Sequence, residues 1–200
     1  MGRRIERVKL SDDESDILET KKWTYDGVNI ASVTTDDVNY DVYTVLPGSV
    51  GNVLERHTVN TNTNTNTTSN SRYYQYNHRG DVVMVTDASG GLIWDQDYTA
   101  FGHVASDDAG QWGGAAVRDD LMITGKDWDE ELGLYYFNAR WVDPELGRFI
   151  SPTPLAPWVE EAYVYCHNNP VMWVDDNGYW PRHYDMTLGR GPFRGISSFW

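Results

Sequence analysis

The sequence predicts an all-β fold of antiparallel β-hairpins closed by a short irregular or helical end cap. Three observations predict it. Aromatic residues make up 14% of the 200 residues, with nine Trp and thirteen Tyr beside 18 Gly, a composition suited to half-buried pleated surfaces joined by turns. Short apolar runs are bounded by Gly, Pro, Asn and Asp clusters. Glycine-marked turns at Gly80, Gly90 and Gly102 fall about ten to twelve residues apart, the spacing of consecutive antiparallel strands.

The elements follow in order. Residues 1–58 hold strand-like runs broken by turn residues, among them Trp23-Thr24-Tyr25-Asp26-Gly27 and Tyr43-Thr44-Val45-Leu46-Pro47-Gly48. Residues 59–71 are an Asn/Thr-rich stretch with no face on which to bury apolar surface, which predicts a solvated loop between hairpin strands. Residues 72–123 carry the clearest rhythm. Tyr73-Tyr74-Gln75-Tyr76 leads to a turn ending at Gly80, Val82 to a turn at Asp87-Ala88-Ser89-Gly90-Gly91, and Leu92-Ile93-Trp94 to Tyr98 and a turn ending at Gly102. Tyr76 and Tyr98, Asn77 and Thr99, and Gly80 and Gly102 occupy equivalent places, a repeat of about 22 residues. A single hairpin cannot bury its aromatic face alone, so stacking of neighbouring units is the physical reason to repeat; an ordinary β-meander is the alternative. Residues 124–179 form the next unit. Gly133 and Gly147 punctuate a turn-strand-turn arrangement around Tyr135, Tyr136 and Val142, and Pro144 removes a ladder donor where the strand should end. Arg140, Asp143 and Arg148 are expected to form a charge-assisted network tying the ends of that hairpin together.

The formal net charge of −14 argues against nucleic-acid binding, which needs a basic face, and against anionic membrane surfaces; a solubilising surface accounts for it. No run is long enough to span a bilayer, so no membrane insertion is expected. The start carries Arg3, Arg4 and Arg7 without an apolar stretch behind them and is not a signal peptide. Cys166 is the single cysteine, expected as a buried small apolar residue.

Specific motifs resemble a known family. Tyr25-Asp26-Gly27 looks like the tyrosine-aspartate signature of the YD repeat, and Tyr76-Asn77-His78-Arg79-Gly80-Asp81-Val82 followed by Thr86-Asp87 looks like a variant of it. Thr124-Gly125-Lys126, Asp129, Gly133-Leu134-Tyr135-Tyr136-Phe137, Ala139-Arg140, Asp143-Pro144 and Gly147-Arg148-Phe149-Ile150-Ser151-Pro152 are similar, in order, to the Rhs repeat-associated core. The match continues through Tyr163 to Pro170. It ends in Asp175-Asp176-Asn177-Gly178-Tyr179, where the family has Asp-Pro-x-Gly-Leu, so that Asp176 and Tyr179 depart from the pattern.

The resemblance implies a strip of a spiral β-sheet that closes into a hollow shell, with residues 124–179 as its end cap. Its implied partners are upstream YD repeats of a longer parent chain and a C-terminal effector, and its implied setting is a secreted or cell-surface protein. Gly2-Arg3-Arg4-Ile5 resembles the second half of a repeat unit, so a fragment is expected. The resemblance also implies self-cleavage after the closing motif by two carboxylates sharing a proton. The catalytic candidates are then Asp175 and Asp176, with Tyr179 at the scissile position. Thr153, in Ser151-Pro152-Thr153-Pro154, stands where the family commonly has the second acid, and a threonine cannot ionise at neutral pH, so an uncut chain is expected. The residues expected to build the core are Gly133, Tyr135, Tyr136, Arg140, Asp143, Pro144, Gly147, Arg148, Pro170 and Gly178.

Residues 180–200 form a short variable tail, too short for an enzymatic toxin, and its His183 and Asp185 lack further metal ligands. A second function class is recognition of cell-surface glycans through exposed aromatic faces, with Trp94 and Trp112 as the residues to change. Calcium at the acidic turns Asp95-Gln96-Asp97 or Asp175-Asp176-Asn177 is a third, although neither turn has an EF-hand loop pattern. No metal, cofactor, nucleophile-elbow or phosphate-loop motif is present.

Overall fold

The computed structural model describes residues 3–35, 38–60, 71–104, 120–155 and 161–183. Eight strands, β1 (Glu6–Leu10), β2 (Ile17–Asp26), β3 (Asn29–Thr34), β4 (Asn39–Val45), β5 (Val53–Asn60), β6 (Arg72–Tyr76), β7 (Val82–Asp87) and β8 (Leu92–Asp95), pair in sequence order into one antiparallel meander. The sheet continues across the Asn/Thr-rich stretch, since Glu55 of β5 pairs with Tyr73 of β6; residues 61–70 of that stretch lie outside the described residues. A second antiparallel sheet contains β9 (Asp127–Asp129), β10 (Leu134–Tyr136), β11 (Trp141–Asp143) and β12 (Arg148–Phe149). A two-stranded ribbon joins β13 (Trp173–Val174) to β14 (Arg182–His183). The predicted all-β class therefore holds, and the regular helices among the described residues are short 3-10 turns at Ile123–Gly125 and Cys166–Asn168.

Strand alternation explains which face is buried. Trp23, Val33, Tyr43, Val53, Tyr74, Val82, Val85 and Trp94 are buried from β2 to β8, and Tyr74, Val85 and Trp94 are direct cross-strand partners. They form one cluster with Leu121, Met122, Ile123, Tyr135, Phe137, Val142, Phe149, Tyr165 and Cys166. The large sheet is thus one wall, and the segment after residue 120 covers its inner face. Because Trp94 is buried, its ring is withdrawn from any sugar; the glycan expectation fails at that residue, and Trp112 lies outside the described residues.

The repeat has a concrete physical content. At Asn77, Asp87 and Thr99 the carbonyl accepts the N–H of the glycine three residues on, and the side-chain oxygen accepts the N–H four residues on, at Asp81, Gly91 and His103. Gly80, Gly90 and Gly102 all take the left-handed conformation that this turn demands. The repeated tyrosines act as staples between successive hairpins. Tyr25, Tyr76 and Tyr98 donate their hydroxyls to the backbone carbonyls of Arg4 (2.8 Å), Val53 (2.6 Å) and Val82 (2.9 Å). Each phenol fills the apolar face and satisfies a polar group of its neighbour.

Asp81 joins the repeats to the following unit. Fully buried, it accepts from Asn77 and Arg79 on one oxygen and from the Thr124 N–H (3.0 Å) on the other.

Candidate functional site

The site grows from the β10–β11 hairpin. Phe137 and Arg140 close its turn by a backbone bond of 2.8 Å, with Asn138 in the left-handed region, and this turn aims Arg140 inward. The guanidinium lies 3.3 Å from the centre of the Phe149 ring. Its Nε donates to the Gly178 carbonyl, Nη1 to the Ala162 carbonyl (3.1 Å) and Nη2 to Asp175 Oδ2 (3.3 Å). Asp175 has no solvent exposure, and its Oδ1 accepts the N–H groups of Gly178 (2.7 Å) and Asn177 (3.2 Å). These bonds coil residues 175–178 into a turn pressed against the hairpin. A Cβ on Gly178, at φ 75°, would lie 2.4 Å from the Phe137 carbonyl oxygen, so only glycine fits.

The same turn presents Tyr179. Its N–H donates to Asn177 Oδ1 (3.0 Å), and its carbonyl accepts the Thr153 hydroxyl (2.9 Å). Thr153 is itself buried and accepts the Leu155 N–H. Asp176 is directed elsewhere and pairs with Arg182 of β14. The structure thus brings Asp175, Thr153, Gly178 and Tyr179 together around Arg140, while the carboxyls of Asp175 and Asp176 each have their own arginine.

Burial pushes the Asp175 carboxyl above its ordinary value, against the opposing pull of the Asn177 N–H, Arg140 and the Gly178 N–H. Burial also lowers Arg140, with Asp175 opposing. Both directions say that the cost of removing water outweighs the attraction of the pair. Burial likewise lowers the amine of Lys126, offset in part by Asp176 and Asp175. Lys126 lines a cavity of about 30 Å³ together with Asn29, Gly51 and Tyr136. The Cys166 thiol is raised by burial, as expected of an inert core residue.

A further cavity of about 20 Å³ lies beside Tyr179, lined by Arg140, Thr153, Glu161, His167 and Trp180. It is large enough for about one water. His167 reaches it from a turn in which Cys166, His167 and Asn168 all have φ between 50° and 56°, a left-handed run costing roughly 1–2 kcal/mol per residue. Its ring meets Trp173 and Trp180 edge-on at 4.9 and 5.6 Å, and its Nδ1 is 3.4 Å from Glu161. Sequence reasoning missed His167 and Glu161, and named Lys126 only within the Thr124-Gly125-Lys126 motif, without a role. The asparagines that follow His167 were the available signal for a left-handed turn.

The expected network of Arg140, Asp143 and Arg148 does not form. Arg140 turns to Asp175, Asp143 accepts the N–H groups of Glu145 and Leu146 (2.9 and 3.0 Å), and the Arg148 guanidinium sits 5.9 Å from the Tyr163 ring. Asp143 is better used stopping the strand, because Pro144 follows it and the next turn leaves its N–H groups unpaired. Gly133 and Gly147 take positive φ. Tyr135 donates to the Gly102 carbonyl (2.8 Å), Tyr136 accepts the Arg4 N–H (2.8 Å), and Pro170 is buried beside Arg79 and Asp81. No group of three His, Cys, Asp or Glu side chains converges on a metal-sized point among the described residues. Both oxygens of Asp175 are engaged by protein donors, which leaves the acidic turn unsuited to calcium. Among the described residues no helix is long and apolar enough to cross a membrane. His183 is described only through its backbone, and Asp185 lies outside the described residues.

Comparison with known proteins places this arrangement. No protein-family model matches the chain. The chain is 37% identical over 114 residues to the tRNA3(Ser)-specific nuclease WapA of Bacillus spizizenii, covering 54% of this chain and 5% of that protein. It is 35% identical over 96 residues to the double-stranded DNA deaminase toxin A of Burkholderia cenocepacia, covering 47% of this chain and 6% of that protein. The fold is similar to the crystal structure of TcdB2-TccC3, with a TM-score of 0.65 and 22% identity over 88% of this chain and 9% of that one. The chain therefore spans about a twentieth of the length of these curated relatives. The relatedness to toxin proteins and the shared fold agree with the Rhs-type resemblance of the motifs.

Proposed function

We propose that this chain is the closing part of an Rhs/YD-repeat shell, with the eight-stranded sheet as a strip of wall and residues 124–179 as the end cap, and that it grips its closing segment without cutting it. Two relatives with different named activities, a tRNA nuclease and a DNA deaminase toxin, each match about half of this chain at similar identity. Likeness to proteins of different named chemistries, each over only a small share of its length, supports a carrier role in which effector chemistry belongs to other segments of a longer chain. Further repeats would pair along β1, and an effector would follow the cap, in an exported or surface-displayed parent protein. The acidic surface, with a net charge of −14, is consistent with a container and ill suited to binding nucleic acid.

The observation that carries the second half is the bond from the Thr153 hydroxyl to the Tyr179 carbonyl. An acid–base dyad needs a second carboxyl at that carbonyl, and a threonine there supplies a hydrogen bond but no proton exchange near neutral pH. Arg140 on the preceding carbonyl and Asn177 on the Tyr179 N–H complete a clamp. Intact-mass analysis of the purified chain is expected to give one species near 22.8 kDa. Thr153→Asp, which places a carboxyl against the same carbonyl, is expected to produce a fragment ending at Tyr179. A cut wild-type chain would overturn the clamp reading, and an uncut T153D chain would overturn the role assigned to position 153.

A further inference from the structure

Arg4 occupies a box that was not foreseen. Its guanidinium carbon lies 3.8 Å from the centre of the Trp23 ring, 4.7 Å from that of Tyr136 and 5.5 Å from that of Trp141, and the group pairs with the Asp127 carboxylate. Three of the walls are one row of the four-stranded sheet, because Asp127 pairs with Tyr136 and Tyr136 with Trp141 across β9, β10 and β11. Trp23 of β2 closes the box from the other sheet. The backbone of the occupant is held as well, its N–H by the Tyr136 hydroxyl and its carbonyl by the Tyr25 hydroxyl. Beyond the box an acidic row continues the register, with Arg7 on Asp129 (3.0 Å) and Lys9 on Glu131.

This combination selects a planar cation. A guanidinium can stack on an aromatic face while its in-plane donors meet a carboxylate, whereas an ammonium is a strongly hydrated point charge that gains less from stacking. Electrostatics alone needs only Asp127; the aromatic walls on several sides add shape.

We propose that Asp127, Tyr136, Trp141 and Trp23 form a guanidinium receptor that takes an arginine from an extended basic strand, and that Arg4 is its resident ligand. The receptor locks the edge strand β1, and through it the large sheet, onto the four-stranded sheet. This inference is independent of the shell and clamp reading, since it concerns how the two sheets recognise each other.

The test uses the full chain carrying Arg4→Ala, with methylguanidinium as the probe and methylammonium as the control cation. The variant is expected to melt roughly 5 °C lower than the wild type. Millimolar methylguanidinium is expected to restore at least half of that loss saturably, methylammonium is not, and the wild type, whose box is filled, is expected to be unresponsive. No saturable response in the variant, or an equal response to both cations or in both proteins, overturns the proposal. Should Arg4→Ala fail to fold, nitrogen-15 NMR of the wild type decides. One arginine Nε–H is expected upfield by the ring currents of the box and absent from Arg4→Lys, and a spectrum with no such shifted resonance overturns the receptor.

Discussion

At the level of single residues, the clearest consequence concerns Asp175. Burial raises its carboxyl despite the Arg140 pair, so the folded protein takes up a proton there more readily than the unfolded chain does. The sign follows: with a folded value above the unfolded one, this group's contribution to stability rises as pH falls through the folded value and is lowest at neutral and higher pH. Asp175→Asn, a neutral isostere that still accepts the Gly178 N–H, is therefore expected to stay within about 1 kcal/mol of the wild type at pH 7, with the wild type gaining on it as pH falls. Asp175→Ala, which strips acceptors from Arg140 and from two backbone N–H groups, is expected to cost about 3–5 kcal/mol. Urea unfolding of both variants from pH 4 to 8 checks this. Lys126 gives the complementary case. Its amine is lowered by burial, so the charged form destabilises the fold at all pH values below the folded value, and the penalty fades as pH rises towards the ordinary lysine value of about 10.4. Lys126→Met is expected to gain about 1 kcal/mol or more at pH 7 and to lose that advantage by pH 10, measured by thermal unfolding.

At the level of elements, the repeating unit is a hairpin plus a tyrosine that reaches back to the one before. Tyr76 illustrates it, because its hydroxyl is the donor to the Val53 carbonyl on β5. Tyr76→Phe keeps the ring and removes only that bond, and is expected to cost about 1 kcal/mol in urea unfolding. Tyr73→Phe, on the same strand but solvent-exposed, is expected to change stability by less than about 0.5 kcal/mol. Periodicity made these tyrosines visible in the sequence, since their spacing survives whatever the neighbouring residues are. The destination of the hydroxyl was not visible, because it depends on register shifts such as that between Gln75 and Tyr76. Tyr136 shows the limit of the pattern. It looks like another repeat tyrosine, yet it lies in β10 of the second sheet and serves as acceptor for the Arg4 N–H.

At the level of the whole molecule, one apolar cluster runs from Trp23 through Trp94 to Phe137, Phe149 and Tyr165, so the two sheets share a core. A shared core predicts a single cooperative transition. Tryptophan fluorescence, which samples Trp23 and Trp94 in the large sheet and Trp128 and Trp141 in the small one, is expected to unfold coincidently with far-ultraviolet circular dichroism; separated midpoints would mean that the sheets unfold independently. The all-β class, the turn positions and the tyrosine spacing were legible in the order of residues, because alternation, glycine turns and tyrosine spacing are local properties of a chain. Tertiary structure alone decided the partners of the charges. Arg140 meets Asp175 rather than the nearby Asp143, and Arg4 meets Asp127 across more than a hundred residues, because a buried charge settles wherever the folded backbone gathers enough acceptors to replace water.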